Sequence, residues 1–457
     1  MRHAHAAAVA AVLLAGCKVG PDYHRPIVDV PQAYRHEAAQ AAATANVDWW
    51  TQFDDPVLNQ LIAEGLAHNK TIKIAAANVE QASAVLMSTR SPLFPQLNYQ
   101  AAAGRFRFSQ GSTTALPSNL SNPTNAYQAL AGASWELDLW GRIRRLTESA
   151  QANLLATEEA RRGVILSLTA SVASAYLNLR GFDEQLTTAE RTLGTYQESL
   201  RLMELKYRYG RVSDMNVDQA RARYETAAAQ IPQIKTNIGV LENALSILLG
   251  ENPGDIPRGK SIFELGLPTI PAGIPSELLE RRPDLLQSEQ QLIATNAQIG
   301  AAKAQFFPTI SLTGASGYVS TDLSNLFKGP ARTWNYGGGF AGPIFTGGLV
   351  YGQFKQAKAA EKAALIGYDA AIQSAFADVD NALLSQQELT EQVAAQGRLV
   401  VALRGYAQLA QHLYDGGREP YSTVLQAEED LFPAELNWAA ARASLCIAFV
   451  NIYKAMG

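Results

Sequence analysis

The stretch Leu179 to Arg211, LRGFDEQLTTAERTLGTYQESLRLMELKYRYGR, decides how this chain of 457 residues is built. Leu179, Phe182, Leu186, Ala189, Leu193, Tyr196, Leu200, Met203 and Tyr207 stand alternately three and four residues apart, the spacing that keeps one apolar seam along a coiled-coil helix. The seam returns at Leu389, Val393, Gln396, Val400, Leu403, Ala407, Ala410 and Tyr414. A shift of 207 positions lays Tyr207 on Tyr414, Gly210 on Gly417, Arg211 on Arg418, Val217 on Val424, Gln219 on Gln426 and Ala220 on Ala427. The chain is one plan written twice. Proline is absent between Pro123 and Pro232 and again between Pro343 and Pro420, so each half can hold one very long helix. Each helix is expected to turn at its glycine and come back as a second helix. At about 1.5 Å per residue, helices of roughly 65 residues reach on the order of 100 Å, a length for which a compact globule has no use.

Ahead of each long helix lies a pair of strand-like segments. The clearest is Tyr127 to Leu139, where Tyr127, Ala129, Ala131, Ala133, Trp135, Leu137 and Leu139 alternate with Gln128, Ser134, Glu136 and Asp138. Leu97 to Phe108, Ile310 to Val319 and Trp334 to Ile344 are weaker versions, and Ser109 to Asn125 and Ser320 to Thr333 are the polar connectors. Strands of about ten residues joined by long loops suit an outer-membrane barrel. Four strands cannot close one, and open edges in lipid leave backbone groups unsatisfied. Three copies would supply twelve strands and close it. The alternative, a water-soluble four-stranded sheet beside helices, accounts for neither the helix length nor the N-terminus. The expected class is an α+β membrane protein: a trimeric 12-stranded β-barrel, four strands per chain, continued by a long α-helical coiled-coil barrel in the periplasm and made of two internal repeats. Its expected divisions are a signal peptide (1–16), a lipidated segment (17–56), a first repeat (57–250), a linker (251–276) and a second repeat (277–457).

At the N-terminus Arg2 and His3 precede an apolar run from Ala6 to Ala15 that is too short to span a bilayer. It ends in Leu14-Ala15-Gly16-Cys17, which resembles the lipobox cut before a lipid-modified cysteine. Cys17 is therefore the expected lipidation site, against an ordinary secretory signal followed by an incidental thiol. That would leave the other of the two cysteines, Cys446, with no disulfide partner, so it reads as a small buried apolar residue.

Charge and motifs exclude more than they assign. With 38 basic and 42 acidic residues the formal charge is -4, which gives no footprint for nucleic acid and no polybasic membrane patch. Of the six histidines of the chain, no two in the mature part stand at ligand spacing with a cysteine or carboxylate, so no metal is expected. Gly337-Gly338-Gly339 lacks the lysine of a phosphate loop, and no nucleophile elbow occurs. Glu428, Glu429 and Asp430 fan across different faces of a helix. No catalytic residue and no cofactor is expected, and any energy for work must come from a partner.

In order along the chain stand Cys17-Lys18-Val19-Gly20-Pro21-Asp22-Tyr23-His24-Arg25-Pro26, Trp49-Trp50 with Phe53-Asp54-Asp55-Pro56, Phe94-Pro95-Gln96-Leu97, and Trp135-Glu136-Leu137-Asp138-Leu139-Trp140-Gly141-Arg142. Arg281-Arg282-Pro283-Asp284-Leu285, Phe307-Pro308-Thr309-Ile310-Ser311-Leu312 and Pro343-Ile344-Phe345 with Gly347-Gly348 come after them. In these motifs the chain resembles the outer membrane factors of the TolC type, in particular their lipoprotein branch serving tripartite efflux pumps. Each motif also has a scaffold reading: Phe94-Pro95 and Phe307-Pro308 stop a helix and force extended backbone before a strand.

The resemblance implies a homotrimer held in outer-membrane lipid, meeting a periplasmic adaptor and an inner-membrane transporter, and passing small molecules outward. An outer-membrane channel of a type I protein secretion system and a non-conducting envelope scaffold lipoprotein are the alternatives. It also implies closure at the periplasmic tips by tyrosine, arginine and acidic side chains. Tyr414 fits that pattern by its place before Gly417. Asn216, Thr423 and Gln426 stand where aspartates are often found and Glu419 where an arginine can occur, so Asp214, Tyr414, Arg418 and Glu419 are the candidate gate residues. Solvated turn residues are the plainer reading.

Overall fold

The computed structural model describes residues 18–28, 31, 34–35, 48–109, 121–270 and 277–457. The signal segment and Cys17 lie outside them. The first repeat runs α1 (Pro56–His68), α2 (Lys70–Arg90), β1 (Gln96–Phe106), β2 (Thr124–Leu137), α3 (Arg142–Arg208) and α4 (Asp214–Leu249). The second runs α5 (Pro283–Ala304), β3 (Thr309–Ser320), β4 (Arg332–Ala341), α6 (Leu349–Asp415) and α7 (Tyr421–Met456). The outward helices α3 and α6 have 67 residues each and the return helices α4 and α7 have 36 each. Their starts and ends all stand 207 positions apart, so the repeat seen in the seam extends to every helix boundary of the two hairpins. Each return helix continues through an internal proline, Pro232 in α4 and Pro433 in α7.

By compactness the chain divides into two units, each drawn from both repeats. Of the described residues, the first comprises 18–27 with those of Asn78–Glu158 and Gln287–Tyr368. It holds one antiparallel sheet in the order β1-β2-β3-β4, with Tyr99 opposite Ala131, Leu130 opposite Gly317 and Leu312 opposite Gly338. The two repeats meet at the β2–β3 pair, and β1 and β4 are left as edges. The tryptophans of the Trp135 to Arg142 motif fasten the strand ends. Trp135 Nε1 donates to the Leu93 carbonyl at 3.0 Å, while Trp140 Nε1 donates to the Pro308 carbonyl at 2.8 Å with its ring stacked 4.7 Å from Phe307. Asp138 accepts the N–H groups of Ile143 and Arg144, both at 2.9 Å, which satisfies orphan donors of the first turn of α3. β4 stops at Ala341, short of the expected Ile344, because Gly342-Pro343 comes next and proline has no N–H to continue a ladder.

A fully buried guanidinium fixes the segment after Cys17. Arg145 donates to the Val19 carbonyl at 3.2 Å, to Gly20 at 3.3 Å and to Asp22 Oδ1 at 2.9 Å, and pairs with Glu148 at 3.1 Å. A buried charge is tolerable only when paired in this way.

The second unit comprises Val28–Ala77, Glu159–Leu286 and Asp369–Gly457. Its core gathers Phe53, Leu58, Leu61 and Ile62 against Tyr176, Leu177, Leu179, Leu245, Leu249, Cys446 and Val450. Buried Asp55 receives the Val57 N–H at 2.9 Å, the Tyr176 hydroxyl at 2.8 Å and the Lys260 N–H at 3.2 Å, so the Phe53 to Pro56 motif is a helix cap that also captures the linker. Arg282 joins Asp284 at 2.8 Å, Asp378 at 2.9 Å and the Ala455 carbonyl at 2.9 Å. Cys446 is buried, and burial pushes its thiol up to about 11, as expected of a packing residue. Among the described residues no helix is long and apolar enough to cross a membrane, which leaves a β-barrel open.

Candidate functional site at the hairpin tips

Both hairpins turn through the same backbone device. Gly210 (φ 67°) and Gly417 (φ 69°) occupy the left-handed region, where a Cβ is disfavoured. The Gly210 N–H bonds the Tyr207 carbonyl at 2.8 Å and the Arg211 N–H bonds Lys206 at 2.9 Å. At the second tip Gly417 bonds Tyr414 at 2.9 Å and Arg418 bonds Leu413 at 2.8 Å. These are paired helix stops of the Schellman type. Just below them Met203, Val217, Ala220, Ala410, Tyr421, Val424, Leu425 and Ala427 bury a small apolar cluster.

Side chains link the tips across this cluster. Lys206 Nζ donates to the Tyr414 hydroxyl at 3.0 Å and lies 4.6 Å from the centre of that ring, so the tyrosine meets one cation with both its oxygen and its face. The Tyr414 ring stands 5.2 Å from Tyr421, whose hydroxyl shares a 2.6 Å hydrogen bond with Ser199. Burial raises the Tyr421 hydroxyl above its ordinary range. On α4, Arg223 donates to the Leu425 carbonyl and reaches Glu429 at 3.2 Å. Tyr196 donates to the Glu428 carbonyl at 3.1 Å.

Of the four candidates, Tyr414 sits in the centre of this network. Asp214 is the exposed first residue of α4, where a negative charge suits the helix N-terminus. Arg418 and Glu419 are exposed on the second turn, and Glu419 accepts from Thr423 at 3.1 Å. No bond among the described residues joins Asp214 to the other three. Sequence reasoning misses Lys206, Ser199 and Tyr421. Lys206 carries a usable signal, since it lies one residue before Tyr207, the repeat partner of Tyr414. Asn216, noted for standing in place of an aspartate, acts locally, because its Oδ1 accepts the Ser213 hydroxyl at 2.8 Å and the Ser213 N–H at 3.3 Å. Gln426 bonds Asp430 on its own helix at 3.2 Å. None of this is a catalytic constellation, and among the described residues no group of His, Cys, Asp and Glu is placed to hold a metal.

A four-stranded sheet with both edges free, in a chain whose two repeats each end in a long helical hairpin, defines a subunit of an outer-membrane channel. The chain belongs to the outer membrane efflux protein family, which it matches over residues 61–251 and 274–457. It is 36% identical over 463 residues to the probable efflux pump outer membrane protein TtgC of Pseudomonas putida, covering 98% of this chain and 94% of that one. It is 33% identical over 453 residues to the cation efflux system protein CusC of Escherichia coli, covering 98% and 97%. The crystal structure of the CmeC outer membrane channel of Campylobacter jejuni superposes with a TM-score of 0.89 at 27% identity, covering 96% of this chain and 95% of that one. Channels of this fold are trimers with four strands from each chain.

Proposed function

We propose that this protein is the exit duct of a tripartite efflux pump: a homotrimer, anchored by lipid on Cys17, that passively conducts small molecules from a periplasmic adaptor and an inner-membrane transporter to the exterior. The observation that carries the reading is the pair of free edges, β1 and β4, on a sheet whose strands have 10 to 14 residues. Three such sheets, pairing β4 of one copy with β1 of the next, close twelve strands without an unsatisfied edge in lipid. The hairpin tips are the end that meets the adaptor. Lys206, Tyr414, Tyr421 and Ser199 hold each subunit's tip together, leaving Asp214, Arg418 and Glu419 exposed to meet neighbouring subunits.

Cargo is set elsewhere. TtgC and CusC are named for different pumps and resemble this chain almost equally, which fits a duct that does not choose its passengers. Purified full-length protein in planar bilayers should give long-lived channels from a species that cross-links as three chains, and intact mass should show acylated Cys17. A conducting monomer, or a trimer that never conducts, would overturn the reading.

A further inference from the structure

A duct of this kind must open at its tips, and the role assigned below to Glu435 rests on that reading. Pro433 lies inside α7 and lacks the N–H that would bond back to the carbonyl of Glu429, so the helix is weakened there. Two residues further on, Glu435 is buried at 8% exposure. Its carboxylate accepts Arg191 of α3 at 2.9 Å and Arg404 of α6 at 2.7 Å. One guanidinium would suffice to neutralise it; here two arrive, from two different helices, as charge-assisted bonds. A single carboxylate therefore ties both outward helices to one return helix.

The residues on the tip side of Pro433 are held differently. Val424, Leu425 and Ala427 pack in the apolar cluster with Met203, Val217, Ala220 and Ala410, and Tyr421 bonds Ser199. Arg223 of α4 donates to the Leu425 carbonyl and reaches exposed Glu429, and Tyr196 of α3 donates to the Glu428 carbonyl, so this segment is held by apolar packing and by single bonds to backbone or exposed groups, which give way more readily than the doubly paired, buried carboxylate of Glu435. The first repeat has no equivalent. The position 207 before Glu435 is Ala228, the one before Arg404 is Gln197, and the proline of α4 falls further from its tip, at 232.

We propose that Glu435 is a positioning residue of the gate: it fixes the root of α7 to α3 and α6, so that Tyr421–Phe432 moves against a stationary point at Pro433. With the clamp intact, displacement is confined to that short segment and the closed tip re-forms in register. Without it, the root shifts as well and the closed packing is lost.

The test uses the full-length trimer in planar bilayers. Glu435→Gln should raise the fraction of time spent conducting at rest by about fivefold or more. Arg404→Gln, which alters a half-exposed side chain, should move it the same way, and the double variant should add little to Glu435→Gln because both act through one link. Pro433→Ala should make openings rarer. Glu435→Asp, which keeps the charge, should recover part of the closure. A Glu435→Gln trimer with wild-type melting temperature and wild-type conductance would overturn the assignment, as would Arg404→Gln with no effect. A wild-type trimer that fails to conduct would instead overturn the duct reading beneath it.

Discussion

The two hairpin tips have the same backbone and different side-chain locks. Helix stops, glycine dihedrals and boundaries repeat at a shift of 207, yet the first tip caps its return helix with Asn216 reaching back to Ser213 while the second begins α7 at Pro420 with no side-chain cap. The first supplies the cation Lys206; the second supplies Tyr414, Tyr421 and the Glu435 clamp. A turn has few backbone solutions, so duplication preserves it. Which side chains close it is free to diverge once the halves occupy different neighbours.

The largest way to break that comparison is to remove what joins the tips. Lys206→Met deletes both the hydrogen bond and the ring contact of Tyr414, and replacing Tyr414 and Arg418 together by alanine removes the aromatic and the exposed cation. Each should raise resting conductance several-fold in single-channel recordings, whereas Gln426→Ala, whose partner is on its own helix, should change little. Unchanged conductance in both Lys206→Met and the double variant would show that closure lies elsewhere.

If the shared backbone is what matters at the turns, Gly210→Val and Gly417→Val should cost alike, about 1–2 kcal/mol each for a branched residue in the left-handed region. Hydrogen exchange at the Arg211 and Arg418 amides would report it. Unequal losses would mean that the side-chain locks, not the turn, set local stability.

Much of this is legible in the sequence because it is periodic. The heptad seam at Leu179 to Tyr207 and the alternation at Tyr127 to Leu137 come directly from how helices and strands turn their side chains, and the repeat locates the glycines. The tip network is legible only in part, since Tyr414 is marked by its place before Gly417 but its partner Lys206 reaches it from a helix 208 positions away in sequence. Arg145 reads as one more basic residue, yet its burial depends on carbonyls of Val19 and Gly20 that no local pattern announces. Likewise Glu435 looks like any helix-surface acid until Arg191 and Arg404 are brought to it by packing.

Smaller effects separate the caps. Asn216→Ala should destabilise the start of α4 by about 1 kcal/mol, since a polar side chain bonded to the capping residue is lost. Pro420→Ser should be close to neutral: a serine adds a cap worth about 1 kcal/mol but gives back the roughly 0.4–1 kcal/mol that proline gains by restricting the unfolded chain. Exchange rates in the first turns of α4 and α7 would show the asymmetry, and equal losses at both would erase it.

The smallest expected effect concerns Glu428 of α7, on the tip side of Pro433. Burial pushes its carboxyl above the ordinary value of 4.5, and Arg223 of α4 pulls part of the way back. Tyr196 of α3 donates to its backbone carbonyl rather than to its carboxylate, and the nearby Tyr421 hydroxyl is raised too, in part by Glu428 itself. An acid whose folded pKa is raised binds its proton more tightly in the folded state. The stability this gives is fully present below the unfolded value near 4.5 and is lost as pH rises through the folded one. At neutral pH the wild type therefore carries a desolvated charge at the tip that Glu428→Gln would not. The variant should show slower exchange of the α7 amides around residue 428 at neutral pH, with the difference shrinking to nothing in acid. A difference that persisted in acid would point to altered packing, and none at neutral pH would mean that Arg223 already offsets the burial of the carboxylate.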